Sequence, residues 1–233
     1  LLEAYEIPIT KPYAARSRDE AVEVARRVGY PVVLKVLSPQ ITHKTDVGGV
    51  ALDIQTEADV AATYDRIVSA AREAVPDAEV QGVTVQPMVK RPNGFEMILG
   101  AKKDPTFGAV LMVGMGGIAA EVFKDRALGL PPLNERLARY MLESLRSWPL
   151  LCGYRGRPGA NLDKLIEILM RFSYLIADYP EIKEIDINPL LVTPDEIIAL
   201  DARVIIDRAL VGQVVKAHSH LAISPYPEHL RRT

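Results

Sequence analysis

The chain has 233 residues, 48% of them hydrophobic and 25% charged, with a formal net charge of −2. That is enough for one large domain or two subdomains sharing a cleft, with the composition of an ordinary globular protein. The near-neutral balance gives no broad basic field for nucleic acid or an anionic membrane, no apolar run is long enough to span a membrane, and the single cysteine excludes an intramolecular disulfide and fits a reducing, cytoplasmic compartment.

The opening Leu1-Leu2-Glu3-Ala4-Tyr5 lacks a methionine and reads as the last turn of a helix, as in one piece of a longer polypeptide. Ile7 to Ile9 and Tyr13 to Ala15 read as extended. Ser17 is an N-cap followed by Asp19 and Glu20, which suit the positive end of a helix dipole. The stripe Ala21, Val22, Val24, Ala25 and Val28 ends at Gly29. Pro31 to Leu37 is an apolar strand with Lys35 in its middle. A charged loop, Ser38 to Asp46, leads through Gly48-Gly49 to a second strand. Thr56 caps a helix that Pro76-Asp77 stops.

Val83 to Val89 is a strand. Phe95 to Lys102, Ala109 to Val113 and Ala119 to Phe123 read as further strands of an antiparallel meander rather than as βαβ units. Asn134 caps a helix to about Arg146, and Leu162 to Ala177 is a strongly periodic helix. Glu184 to Val192 and Glu196 to Val204 form a hairpin around Thr193-Pro194-Asp195. The expected division is 1–82 as a small α/β subdomain with Lys35 and the His43 loop, 83–211 as a second subdomain, and 212–233 as a tail or linker. Cys152 reads as a small structural hydrophobe.

Four features could carry chemistry. Lys35 is either an edge-strand lysine reaching water along its alkyl stem or a cation directed at phosphates. His43 is either a plain surface-loop histidine or a phosphoryl acceptor; Lys44, Gly48 and Gly49 beside it would let backbone N–H groups approach an anion. Gly114-Met115-Gly116-Gly117 opens no helix and so is no dinucleotide fingerprint; it is either a tight turn or a place where a ligand or a partner's phosphate approaches. Asp186 and Asn188 share one strand face, and a hairpin turning near Pro194 puts Asp201 roughly opposite Asp186. That is either an exposed polar face or a set of hard oxygen donors for Mg²⁺.

In this order the motifs resemble the ATP-grasp domain of the ADP-forming acyl-CoA synthetases, relatives of succinyl-CoA synthetase. The stretches that carry the resemblance are Tyr30 to Lys35, His43 to Val50, Gln86 to Val89, Gly94 to Gly100, Asp104 to Gly108, Gly114 to Gly117, Tyr154-Arg155-Gly156, Glu184 to Pro189 and Leu200 to Ala202. The resemblance implies an α+β, ATP-grasp fold, two subdomains with an ATP cleft between them. It implies that Lys35 binds phosphates, that Gln86, Pro87, Met88 and Val89 contact adenine, and that Glu96 lies near the ribose. It further implies that Asn188 and Asp201, with Asp186 nearby, hold Mg²⁺. His43 matches a phosphohistidine that relays a phosphoryl group between ATP/ADP and a CoA-binding domain or alpha subunit. Gly116, Gly117 and Arg155 would receive that partner's phosphohistidine segment, and the full enzyme would be oligomeric. A different class is also implied: His220 to Pro227 resembles the junction into a GNAT acetyltransferase, where such a region would be regulatory. A carboxylate–amine ligase of the same fold is a third reading, one that has no need of His43.

Overall fold

The computed structural model describes residues 1–117 and 124–212, in two compact units: Thr10–Lys90, and Leu1–Ile9 together with the chain from Arg91 onward. The strand expected at Ala119 to Phe123 and the tail after Gly212 lie outside the described residues.

In the first unit, strands β1 (Tyr13–Ala15), β2 (Val32–Leu37), β3 (Val50–Ile54) and β4 (Gly82–Pro87) form an antiparallel sheet in the order β1-β4-β2-β3. Helices α1 (Arg18–Val28) and α2 (Glu57–Ala74) begin at the expected caps. Ser17 accepts the amide of Glu20, and Thr56 accepts that of Asp59. Both helices bury their apolar stripes with Val32, Leu34 and Val36 of β2 and Val83 and Val85 of β4. The alternation of β2 and β4 therefore leaves Val33, Lys35, Thr84 and Gln86 on the opposite face.

This sheet corrects the expected boundary after residue 82. Strand β4 pairs along its whole length with β2 and belongs to the first unit, which runs to Lys90. An apolar alternating strand carries no local mark of which sheet it will join. The first nine residues go the other way: Ala199 donates to Pro8 O, and Ile9 bridges to Ala199.

The second unit has a sheet of β5 (Phe95–Asp104), β6 (Gly108–Met115), β7 (Arg126–Gly129), β8 (Ile182–Val192), β9 (Ile197–Ala199) and β10 (Ala202–Ile206), in the order β10-β8-β5-β6-β7, with β9 on β8. Its inner face, including Met97, Leu99, Leu111, Val113, Ile185 and Ile187, packs with α3 (Glu135–Glu143), the short α4 (Trp148–Leu151) and α5 (Leu162–Asp178) into one core. Helix α3 stops at Glu143 rather than near Arg146. Strand β7 was not foreseen. It is four residues long, and Gly129 sits so close to Met141 of α3 that an added Cβ would lie 2.5 Å from the sulfur. Cys152 is exposed rather than packed as a small hydrophobe.

Asp125, just before β7, links the end of β6 to the start of α4. Its carbonyl accepts from Met115, and its carboxylate accepts the amides of Arg146 and Ser147 at 2.8 Å. Burial opposes its ionisation, but the donors on Ser147 and Arg146 outweigh that and hold the carboxyl below the ordinary range. Because the folded pKa is depressed, this stabilisation is present above the unfolded pKa of about 3.9 and is lost as pH falls through the folded value. We expect Asp125→Asn to cost about 1 kcal/mol at pH 7. The gap to the wild type should narrow as thermal melts are carried to pH values below the ordinary carboxylate range.

Candidate functional site

The first unit offers one polar patch on an otherwise apolar sheet. Strand β2 lies between β4 and β3, so Lys35 stands on an interior strand, and it is 8% exposed. The edge-lysine reading therefore falls. Lys35 pairs with Thr84 and Val33 with Gln86, which puts Lys35, Thr84 and Gln86 side by side on one face. Gln86, 5% exposed, donates from Nε2 to Thr10 Oγ1 at 3.2 Å, and Thr10 is itself buried. Pro87 at the end of β4, and Met88 and Val89 beyond it, are half-buried, and the Met88 amide donates to Pro31 O at 2.9 Å. Lys90 closes the segment with a 2.5 Å ion pair to Asp53, which sits at positive φ in the irregular β2–β3 pairing. Thr10 and Thr84 were not singled out from sequence, although the Thr84-Val85-Gln86 alternation signals a polar strand face.

His43 is exposed at the start of two overlapping turns, in which Asp46 donates to His43 O and Gly48 to Thr45 O. Lys44 is half-buried. The two glycines do a different job from the one expected of them. The Gly48 amide is engaged by Thr45 O at 3.0 Å and the Gly49 amide by Lys44 O at 2.8 Å, so neither is turned toward a phosphate. Gly48 supplies positive φ. Gly49 permits contact with β2: an added Cβ would lie 2.6 Å from Val36 Cγ1 and 2.8 Å from Lys44 O. The pair thus shapes the loop that presents His43 and docks it on the strand that carries Lys35.

In the second unit the outer sheet face carries the other candidates. Gly100 pairs with Asp186 and Lys102 with Glu184. Asp186, by contrast, pairs with Arg203 of β10, and the Asn188 amide donates to Asp201 O at 3.1 Å. Asp201 is therefore opposite Asn188, two residues from the expected partner, because the hairpin is centred between Pro194 and Asp195. The correction keeps all three on one face, since positions 186 and 188 alternate with buried Ile185 and Ile187. Two carboxylates and an amide oxygen thus share one face, all hard oxygen donors, although no group of three or more His, Cys, Asp or Glu side chains gathers as a metal cluster among the described residues. A pocket of about 590 Å³ is lined by Asp186, with Gly100, Met112, Leu128 and Arg203, but not by Asn188 or Asp201.

Glu96 is exposed at the start of β5, on the same outer face as Gly100. Its carbonyl accepts the Gly116 amide at 2.7 Å, and an added Cβ on Gly117 would lie 3.3 Å from Glu96 Oε2. The fold thus unites Glu96 with Gly116 and Gly117, assigned from sequence to separate roles. Arg155 is exposed at the tip of a separate turn, its guanidinium 5.3 Å from the Tyr154 ring centroid.

Residues 1–206 match the ATP-grasp domain family. The chain is 39% identical over 206 residues to subunit beta of acetate–CoA ligase (ADP-forming) I from Pyrococcus furiosus, covering 88% of each. It is 43% identical over 192 residues (82% of this chain) to 4-hydroxybutyrate–CoA ligase (ADP-forming) of Nitrosopumilus maritimus, and spans only 27% of that longer protein. Among solved structures it resembles the dinucleotide forming acetyl-coenzyme A synthetase 1 of Ca. Korarchaeum cryptofilum. One complex of that protein, with coenzyme A, Ca-AMPCP and HgCl⁺, gives a TM-score of 0.84 at 37% identity over 88% of this chain and 89% of that chain. Another, with coenzyme A and Mg-AMPPCP and its phosphohistidine segment pointing towards the nucleotide binding site, gives 0.74 at 33% identity over 88% of both chains. The chain belongs to the ATP-grasp domain family, among the beta subunits and corresponding segments of the ADP-forming acyl-CoA synthetases.

The Gly49 packing generates a direct test. Gly49→Ala should lower stability by about 1–3 kcal/mol through overpacking against Val36, measured by urea unfolding. Gly48→Asn, which tolerates positive φ, should cost less.

Proposed function

We propose that this chain is the ATP-binding component of an ADP-forming acyl-CoA synthetase, acid + CoA + ATP ⇌ acyl-CoA + ADP + phosphate. It would act with a CoA-binding part, fused or supplied as an alpha subunit, in an oligomeric cytoplasmic enzyme. The observation that carries the reading is Lys35, a cation on an interior strand with Thr84 and Gln86 on the same face. Besides its contacts within the chain, an ammonium on that polar face is a point charge of the kind that binds nucleotide phosphates.

In this reading Lys35 holds the phosphates, and the segment from Gln86 through Pro87 and Met88 to Val89 presents backbone and apolar surface to adenine. Glu96 accepts a hydrogen bond from a ribose hydroxyl. Asn188, Asp201 and Asp186 would hold Mg²⁺, which when bound neutralises phosphate charge during transfer. No helix among the described residues is long and apolar enough to cross a membrane.

His43 acts as the relay. An imidazole nitrogen attacks the phosphorus of the partner's phosphohistidine; the N–P bond to the partner breaks as the one to His43 forms. In the second step an ADP β-phosphate oxygen attacks, a P–O bond forms, the His43 N–P bond breaks, and the freed imidazole nitrogen takes up a proton. The exposed loop position leaves His43 open to such an approach. Gly116, Gly117 and Arg155 would receive the partner's segment; Lys44 adds a positive charge beside His43. Neither the described residues nor the relatives named above favour a regulatory region of a GNAT acetyltransferase.

The test is phosphoryl labelling of the full enzyme with Mg²⁺ and [γ-³²P]ATP, followed by peptide mapping. Acid-labile label should map to the peptide containing His43 and disappear in His43→Ala. Equal labelling of that peptide in the variant would sink the relay role.

A further inference from the structure

Arg157 lies outside every motif assigned above, yet the fold holds it against Gly94 and Phe95, the two residues before Glu96. Tyr154 and Arg157 exchange both backbone hydrogen bonds, Tyr154 N–H to Arg157 O at 3.1 Å and Arg157 N–H to Tyr154 O at 3.0 Å. The residues between them, Arg155 and Gly156, both have positive φ, +47° and +82°. That is the two-residue hairpin turn in which both central residues are left-handed. Its base is also tight: an added Cβ on Gly159 would lie 2.7 Å from the carbonyl carbon and oxygen of Cys152, and Ala160 donates to Leu151 O at 2.8 Å. This loop is braced from within, so the place from which the Arg157 side chain leaves the backbone is fixed.

The Arg157 guanidinium makes two contacts with the residues just before Glu96. It donates to Gly94 O at 3.0 Å, and its central carbon stands 4.6 Å from the centroid of the Phe95 ring. Phe95 is buried in the core of the second unit, and Gly94 is closely packed against Leu191. Glu96 follows, its carbonyl held by Gly116 from the other side. The start of β5 is therefore clamped by Arg157 on one side and the glycine loop on the other, with the exposed Glu96 carboxylate between. Only a planar cation that stacks and donates at once fits both contacts; an ammonium can make one.

We infer that Arg157 is a positioning residue for Glu96, fixing the strand entry so that the carboxylate meets the ribose of a bound nucleoside diphosphate. This inference rests on the nucleotide reading above. It separates the two arginines of one turn, with Arg155 at the tip directed outward and Arg157 at the base serving the chain's own nucleotide site.

The experiment compares MgADP with Mg-2′-deoxyADP by calorimetry on the whole protein, in the wild type and in Glu96→Ala, Arg157→Ala and Arg157→Lys. The wild type should prefer the ribonucleotide by about tenfold, the value of one hydrogen bond to a charged acceptor. Glu96→Ala should abolish the preference. Arg157→Ala should reduce it severalfold while affinity for Mg-tripolyphosphate stays unchanged, and Arg157→Lys, which keeps only one contact, should fall between. A wild-type ratio in Arg157→Ala beside a lost ratio in Glu96→Ala overturns the positioning role alone. Equal weakening of both nucleotides and of tripolyphosphate in Arg157→Ala would show a merely structural residue and overturn it too. An unchanged ratio in Glu96→Ala, or no binding of MgADP by the wild type, overturns the ribose reading and this inference with it.

Discussion

A lysine on an interior strand is the constraint from which the chain's chemistry follows. Lys35 has strands on both sides of β2, and Val32, Leu34 and Val36 of the same strand lie in the core behind it. Its ammonium must meet polar or anionic groups on the one remaining face. That face also bears Thr84 and Gln86, with Thr10 satisfying the buried amide of Gln86. The helices α1 and α2 cover the other face, so the sheet's alternation alone separates a packed side from a polar one.

The second unit uses the same device. Its helices pack on the inner face of the sheet and leave the outer face to Glu96, Asp186 and Asn188, with Asp201 opposite Asn188. Turns and glycines do the fine placement. Gly49 docks the His43 loop on β2, Asp125 ties the end of β6 to the start of α4, and the 154–157 turn brings Arg157 to the head of β5. Each of these is a backbone device: an amide donated, a Cβ excluded or a positive φ. Rigid placement of a few polar groups is what a site for a highly charged ligand needs if little is to be lost in ordering it.

Much of this was legible in the sequence, because periodicity and caps are local. Ser17, Thr56 and Asn134 cap the helices they were expected to cap, and the strand around Lys35 lies where its apolar run put it. What was not legible depended on partners distant in the chain. Strand β4 alternates equally well for either sheet, and its pairing with β2 moved the boundary to Lys90. The Asp201 register differed by two residues because it depends on where the hairpin is centred. Gly48 and Gly49 were expected to let backbone amides approach an anion, but glycine content does not say where the amides point, and both point inward. Arg157 carried no signal beyond its place in an arginine- and glycine-rich turn; only the fold brings it to Gly94 and Phe95.

The central claim is that Lys35 is buried to hold nucleotide phosphates. Its most direct measurement is calorimetric titration of the protein with MgADP, comparing wild type with Lys35→Met, a variant of similar length without the charge. The account predicts a loss of affinity of about tenfold to a hundredfold, the worth of a charge-assisted contact, with unfolding still cooperative. Equal affinity in the two proteins would contradict it.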